Sequence, residues 1–180
     1  NLGGITLTNP SASPFTSYAF IAAYDIRGNL LWAQKAGTSD INQILSLASD
    51  TAGNIIATGF FTGSTISFDS FTLTNAGYAD AFVVKYDSTG QVSWALSIGG
   101  PSWEYATSVA TDSAGNIYLT GRFDSPTLTL GSFTLTNAGP GESDIFIAKL
   151  SPQGQVLWAY SFGGAEIDGG QAIAISPTGE

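Results

Sequence analysis

Three polar residues stand where a chain could assemble chemistry: Asn42, Glu104 and Asp168, spaced 62 and then 64 residues apart. Each follows an apolar residue, Ile41, Trp103 and Ile167. Asp80 and Asp144 form a second acidic pair, also 64 apart. A ring of such groups is suited to a cation or to sugar hydroxyls. The cluster Trp103-Glu104-Tyr105 offers aromatic faces for a sugar ring and a carboxylate to accept its hydroxyls. The competing reading is structural: side chains that recur in every unit cap turns and hold backbone amides. On that reading Trp103, the one tryptophan outside the repeat register, fills a gap between units.

Much chemistry is excluded at the outset. The 180 residues contain neither histidine nor cysteine, which removes the usual general base, the commonest zinc ligand and any disulfide frame. A glycosidase needs two facing carboxylates, but Glu104 and Asp168 fall in different units. No nucleophile–base pair, phosphate-binding glycine loop or metal-ligand spacing appears, so no catalytic residue, metal ligand or cofactor is assigned. Five basic residues against fourteen acidic ones give a net charge of −9, which argues against nucleic acid and anionic membrane surfaces. The longest apolar run, Ala19 to Tyr24, is too short to span a bilayer as a helix. The chain opens on Asn1 without a methionine or a signal-peptide pattern, which suggests a processed or excised segment.

The elements that would position these residues are written in repeats. "DTAGNIIATG" at Asp50 returns as "DSAGNIYLTG" at Asp112, and "FTLTNAG" starts at Phe71 and Phe133, with a looser "ITLTNP" at Ile5. Trp32, Trp94 and Trp158 sit in similar frames. The period sets approximate units of 1–45, 46–107, 108–171 and 172–180: the second half of one blade, two whole blades, and the first strand of another. "QVSWALSI" alternates apolar and polar residues, and "NIYLTGRF" is rich in β-formers, so each unit reads as four strands plus a long insert. The insert forms either an extra strand pair or an ordered flap.

Six turns punctuate the strands: Asp25–Gly28, Asp50–Gly53, Asp87–Gly90, Asp112–Gly115, Ser151–Gly154 and Ser176–Gly179. Aspartate or serine can accept backbone amides across a tight turn, and the closing glycine takes positive φ. One Asp per turn is too few oxygens for calcium. All six turns belong on one rim, too short to build a pocket, and the long connections on the other rim, where function is expected. Lys85 and Lys149, matched by Ala23 in the first unit, read as edge lysines that discourage aggregation.

The run "SVATDSAGNIYLTGRF", followed by "SFTLTNAG" and "DAFVVKYDSTGQVSWALSIGG", resembles the bacterial SBBP type of β-propeller repeat and, more distantly, NHL repeats in "VATDSAGNIYLTG". The resemblance implies an all-β fold of four-stranded antiparallel blades, about three repeats here, an incomplete ring by themselves. It also implies an extracellular or bacterial cell-surface protein, often large, with no single activity. The expected role is structural, adhesive or fibre-forming, with flanking blades or other copies of the chain as partners. The alternative is a glycan or surface-protein binder that uses Asn42, Trp103, Glu104, Tyr105 and Asp168.

Overall fold

The computed structural model describes residues 16–37, 40–139 and 141–176. The turn closed by Gly179 and the "ITLTNP" copy at Ile5 lie outside those residues. Among the described residues all regular structure is β. A hairpin, β1 (Ala19–Tyr24) and β2 (Leu30–Ala36), leads into the first four-stranded blade. Its strands β3 (Asn42–Ser49) and β4 (Ile55–Phe61) are followed by a small hairpin, β5 (Thr65–Phe68) and β6 (Phe71–Thr74), and then by β7 (Asp80–Tyr86) and β8 (Val92–Ile98). The second blade repeats this with β9 (Glu104–Thr111), β10 (Ile117–Phe123), the hairpin β11 (Thr127–Leu130) and β12 (Phe133–Thr136), then β13 (Asp144–Leu150) and β14 (Val156–Phe162). Sheet order is β3-β4-β7-β8 and β9-β10-β13-β14, antiparallel throughout. The long inserts are therefore separate strand pairs. They reach the preceding unit: the amide of Thr129 on β11 donates to Gly99 O just after β8 (3.1 Å).

Five of the turns are described, and all five close as the residue types demand. In each, the glycine amide donates to the carbonyl of the first turn residue at 2.9–3.0 Å. Gly28, Gly53, Gly90, Gly115 and Gly154 hold φ between 79° and 87°, where a Cβ would be strained. Asp50 Oδ1 accepts the amides of Ala52 and Asn54 (both 3.0 Å). Asp112 does the same for Ala114 and Asn116, and Ser151 Oγ for Gln153 and Gln155. The Asn29 side chain and amide hold the exposed carboxyl of Asp25 below its usual range, and the Thr89 hydroxyl and Gln91 amide do the same for Asp87.

A sheet with two apolar faces must be covered on both. Along β7 every residue is buried, and alternate side chains go to opposite sides. Ala81 and Val83 meet the second blade, in a core with Leu119, Phe123, Leu128 and Phe146. Phe82, Val84 and Tyr86 meet the β1–β2 hairpin, in a core with Ile21, Trp32 and Ala36. The first blade is thus stacked face to face between its neighbours, as radial blades are.

One contact fastens each neighbour. Trp32 Nε1 donates to Ser88 O (3.1 Å), and Trp94 Nε1 to Pro152 O (3.1 Å), at the same place one unit later. The indole lies flat over the glycine of that turn. A Cβ on Gly90 would come within 2.6 Å of Trp32, and one on Gly154 within 2.8 Å of Trp94. These glycines answer two demands together, the turn's φ and the seat of a neighbour's ring.

Lys85 corrects its expected role. It is no solvated edge lysine: its side chain is buried against Asp50 (2.9 Å), and its ammonium also reaches Pro152 O (3.4 Å). Burial alone would raise the Asp50 carboxyl, but the bonds from Lys85 and Asn54 outweigh it and hold the group at about 2. The lysine ties first and second blades at the same carbonyl that takes the indole.

Trp94→Phe keeps a ring but loses the bond to Pro152, and should cost about 1 kcal/mol in urea unfolding. Trp94→Ala should cost about 3–5 kcal/mol, clearly more than Trp158→Ala, whose ring has no turn seated on it within the described residues. Equal losses for the two alanine variants would contradict the seat.

Candidate functional site

The long-connection rim gathers the residues singled out from the sequence. Each lies where one unit passes to the next. The amides of Asn42, Glu104 and Asp168 donate to Ser17 O (3.1 Å), Ala79 O (2.8 Å) and Ser143 O (2.7 Å), one contact made three times. Their side chains then close the loop before them. Glu104 Oε2 accepts Gly100 N (2.9 Å), and Ser125 Oγ donates to Oε1. Asp168 Oδ2 accepts Gly164 N (2.9 Å). Asn42 Nδ2 donates to Ser17 O (3.1 Å) and Asp40 O (2.9 Å), which leaves Oδ1 buried without a bond.

Asp80 and Asp144 repeat the pattern a layer deeper. Both are buried. Asp80 accepts Ala76 N and Ser97 Oγ, and Asp144 accepts Ala138 N (2.8 Å). Gly99 and Gly163 leave room for them, since a Cβ at either would collide with the carboxylate. Burial pushes the Asp80 carboxyl up. Glu104 goes further: burial dominates the bonds from Ser125 and Gly100, Asp80 adds repulsion, and the group rises to about 7.

Above this layer the aromatic residues stand in a row. Tyr78 stacks on Trp103 (centroids 6.1 Å, planes 17° apart), and Trp103 on Tyr105 (6.3 Å, 7°). Arg122 lies over the Tyr105 ring at 4.7 Å, and Phe60 meets its edge. Trp103 does not fill a gap between blades: 38% of it is exposed, and Tyr78 beside it is 67% exposed. Residues two apart on an extended strand share a face, which explains the Trp103–Tyr105 stack. Tyr78, Arg122 and Phe60 were not legible as members, because they arrive from the insert and from two neighbouring strands. The β9–β10 register, which sets Arg122 opposite Tyr105, is the signal that would have found one of them.

Structure places Trp103, Glu104 and Tyr105 together but gives them different surroundings: rings outward, carboxylate fully buried and engaged. Asn42 and Asp168 occupy the equivalent corners of other units. Among the described residues no three acidic side chains gather closely enough to hold a metal ion. The opposite rim corrects a second expectation. The tight turns do build a concavity, a groove of about 630 Å³ between the blades, lined by Asp50, Asn54, Lys85, Trp94, Gly115 and Gln153.

The Glu104 carboxyl titrates near 7 in the fold, against 4.5 as its ordinary value, so the folded state keeps a proton that the unfolded chain releases. Its stabilising contribution is complete below about pH 4.5 and is lost as pH rises through 7, a loss of roughly 3 kcal/mol. Urea unfolding should therefore show stability falling from pH 5 to pH 8. Glu104→Gln should flatten that slope, and a variant with the parental slope would assign it elsewhere.

Known proteins are similar to this chain in sequence. Residues 94–122 match the SBBP β-propeller repeat. The chain is 32% identical to an uncharacterized WD repeat-containing protein, L264, of Acanthamoeba polyphaga mimivirus, over 77% of this chain and 11% of that protein. It is 29% identical to the regulatory protein FlaEY of Caulobacter vibrioides, over 85% of this chain and 16% of that protein. The chain thus spans a small fraction of the length of either relative. The matched stretch runs from Trp94 on the outermost strand of one blade, through the long-rim corner and the Asp112 turn, to the end of the second strand of the next, and the same elements recur across the chain. The match over residues 94–122, with the same elements recurring on either side of it, supports an SBBP-type β-propeller repeat family for this chain.

Proposed function

We propose that the module is a non-catalytic part of a larger secreted or bacterial surface protein, with a structural, adhesive or fibre-forming role. One observation carries this reading. The polar side chains best able to do chemistry, Asn42, Asp80, Glu104 and Asp144, are buried and bonded to backbone or to each other's loops at matching places in successive units. Groups engaged in this way hold the fold and are withdrawn from substrates. The composition supports the same reading: charged residues make up only 11% of the chain, and 22 of its 180 residues are glycine. Partners on this view are flanking blades or further copies. An antibody raised against the segment should label intact cells of the source; label that appears only after permeabilisation would overturn the surface placement.

A second reading rests on the exposed row Tyr78–Trp103–Tyr105. Here the rim binds a glycan, with the outer rings as the contact surface, Arg122 bracing Tyr105, and Glu104, Asn42 and Asp168 setting the corners. Stacking on such rings is worth up to about 1.4 kcal/mol beyond area burial, tenfold in affinity. A glycan array should then give hits that weaken about tenfold in Trp103→Ala and Tyr78→Ala. Hits unchanged by both substitutions would remove the rim from consideration.

A further inference from the structure

The corner where the first blade passes to the second breaks the repeat. It carries Tyr78, Trp103 and Tyr105, where the corner one unit earlier has Thr16, Ile41 and Gln43 and the corner one unit later has Glu142, Ile167 and Gly169. The backbone contact is the same at all three corners, so the joining of units does not call for the rings. Both blades that meet here have all four strands, and the exposure of the rings belongs to the joint itself.

The rings are firmly mounted. The amides of Tyr78 and Ala79 both donate to Ser102 O (3.0 Å), and the Asp124 amide donates to Trp103 O (2.9 Å). Gly77 lies so near the neighbouring loop that a Cβ on it would come within 2.3 Å of Gly100 O. A surface ordered before its ligand arrives loses less freedom on binding. Trp103 has a tyrosine stacked on each side and offers its edge. Tyr78 ends the row, is 67% exposed and offers its outer face.

Charge decides what suits that face. The loops of this rim carry Asp40, Asp124, Glu142, Glu166 and Asp168. Its two basic side chains already lie on tyrosine rings, Arg122 over Tyr105 (4.7 Å) and Lys35 over Tyr18 (5.0 Å). The face of an aromatic ring is negative and attracts cations, and the chain uses that attraction twice on one rim. Among the described residues no cation of the chain lies over Tyr78. A sugar acid would be repelled by these carboxylates, and a neutral sugar would leave them unused. An amino sugar with a free amine brings both an apolar ring face and a positive charge.

We propose that this corner binds a polysaccharide of amino sugars with free amines, one sugar lying on Tyr78 while its ammonium is drawn to the ring and the surrounding carboxylates. This rests on the glycan-binding reading and names its sugar class.

The test is isothermal titration of the chain with a fully deacetylated glucosamine hexamer, its fully N-acetylated counterpart, a galacturonate hexamer and hexalysine. The deacetylated hexamer should bind about tenfold more tightly than the acetylated one, the galacturonate should not bind, and added salt should weaken only the deacetylated sugar. Tyr78→Ala should cost about tenfold in affinity for the deacetylated hexamer, whereas Tyr78→Phe, which keeps the ring, should match the parent. Both variants leave the net charge at −9, so a polycation held by charge alone would not distinguish them. Hexalysine binding as tightly as the amino sugar, or a Tyr78→Ala variant that binds like the parent, would overturn the proposal. Equal or tighter binding of the acetylated or acidic hexamer would overturn the sugar class and leave the glycan reading standing. Failure of every sugar, here and on the glycan array, would remove both.

Discussion

Everything in this molecule depends on a sheet that cannot bury both of its faces alone. A four-stranded blade of this sequence exposes apolar side chains on each side, and only another blade has the shape and periodicity to cover them. The first blade shows the solved case: β7 is buried along its whole length because a neighbour lies on each side. In the second blade the burial of β13 alternates, since only one face is covered. Apolar area covered at about 25 cal/mol per Å² is the driving force. The polar contacts at the two rims decide how the covering face is aligned.

Those rim contacts are divided sensibly between ends. On the tight-turn rim an indole and a buried lysine reach forward to one carbonyl of the following unit. On the long-connection rim a strand-start amide reaches back to the preceding unit, and its side chain ties down the connecting loop. Each unit is pinned at both ends, forward at one and backward at the other. Sliding one blade over the next by even one residue would break both sets. The buried carboxylates of Asp80, Glu104 and Asp144 belong to this alignment. They give partners to amides that would otherwise lack them in crowded corners.

Much of this was legible in the amino acids. The Asp-x-x-Gly spacing announces turns because only those residue types satisfy the backbone there, and each described turn closed as read. The period, the strands and the radial stacking followed from the same repetition. Other features were hidden because they depend on distant residues. Lys85 reads as an edge lysine until Asp50, from the turn between β3 and β4, is seen beside it. Trp103 reads as buried because tryptophan usually is, yet Tyr78 and Tyr105 flank it and leave its side open to solvent. Glu104 reads either as a group that caps a turn and holds backbone amides or as a ligand group on the rim, and the Gly100 amide and the Ser125 hydroxyl that draw it inward come from separate loops. The inserts gave strand-like sequence without saying where they would pack, and β11 turns out to bridge backward to the preceding blade.

The indole-on-glycine seat splits one fastening between two successive units, so no unit holds both parts of any single joint. A stretch of gene encoding one whole period can therefore be duplicated or deleted, and the new neighbours will still fit each other. Selection can lengthen or shorten such a protein without inventing any new surface, and the near-verbatim spelling of successive periods is the trace such copying leaves.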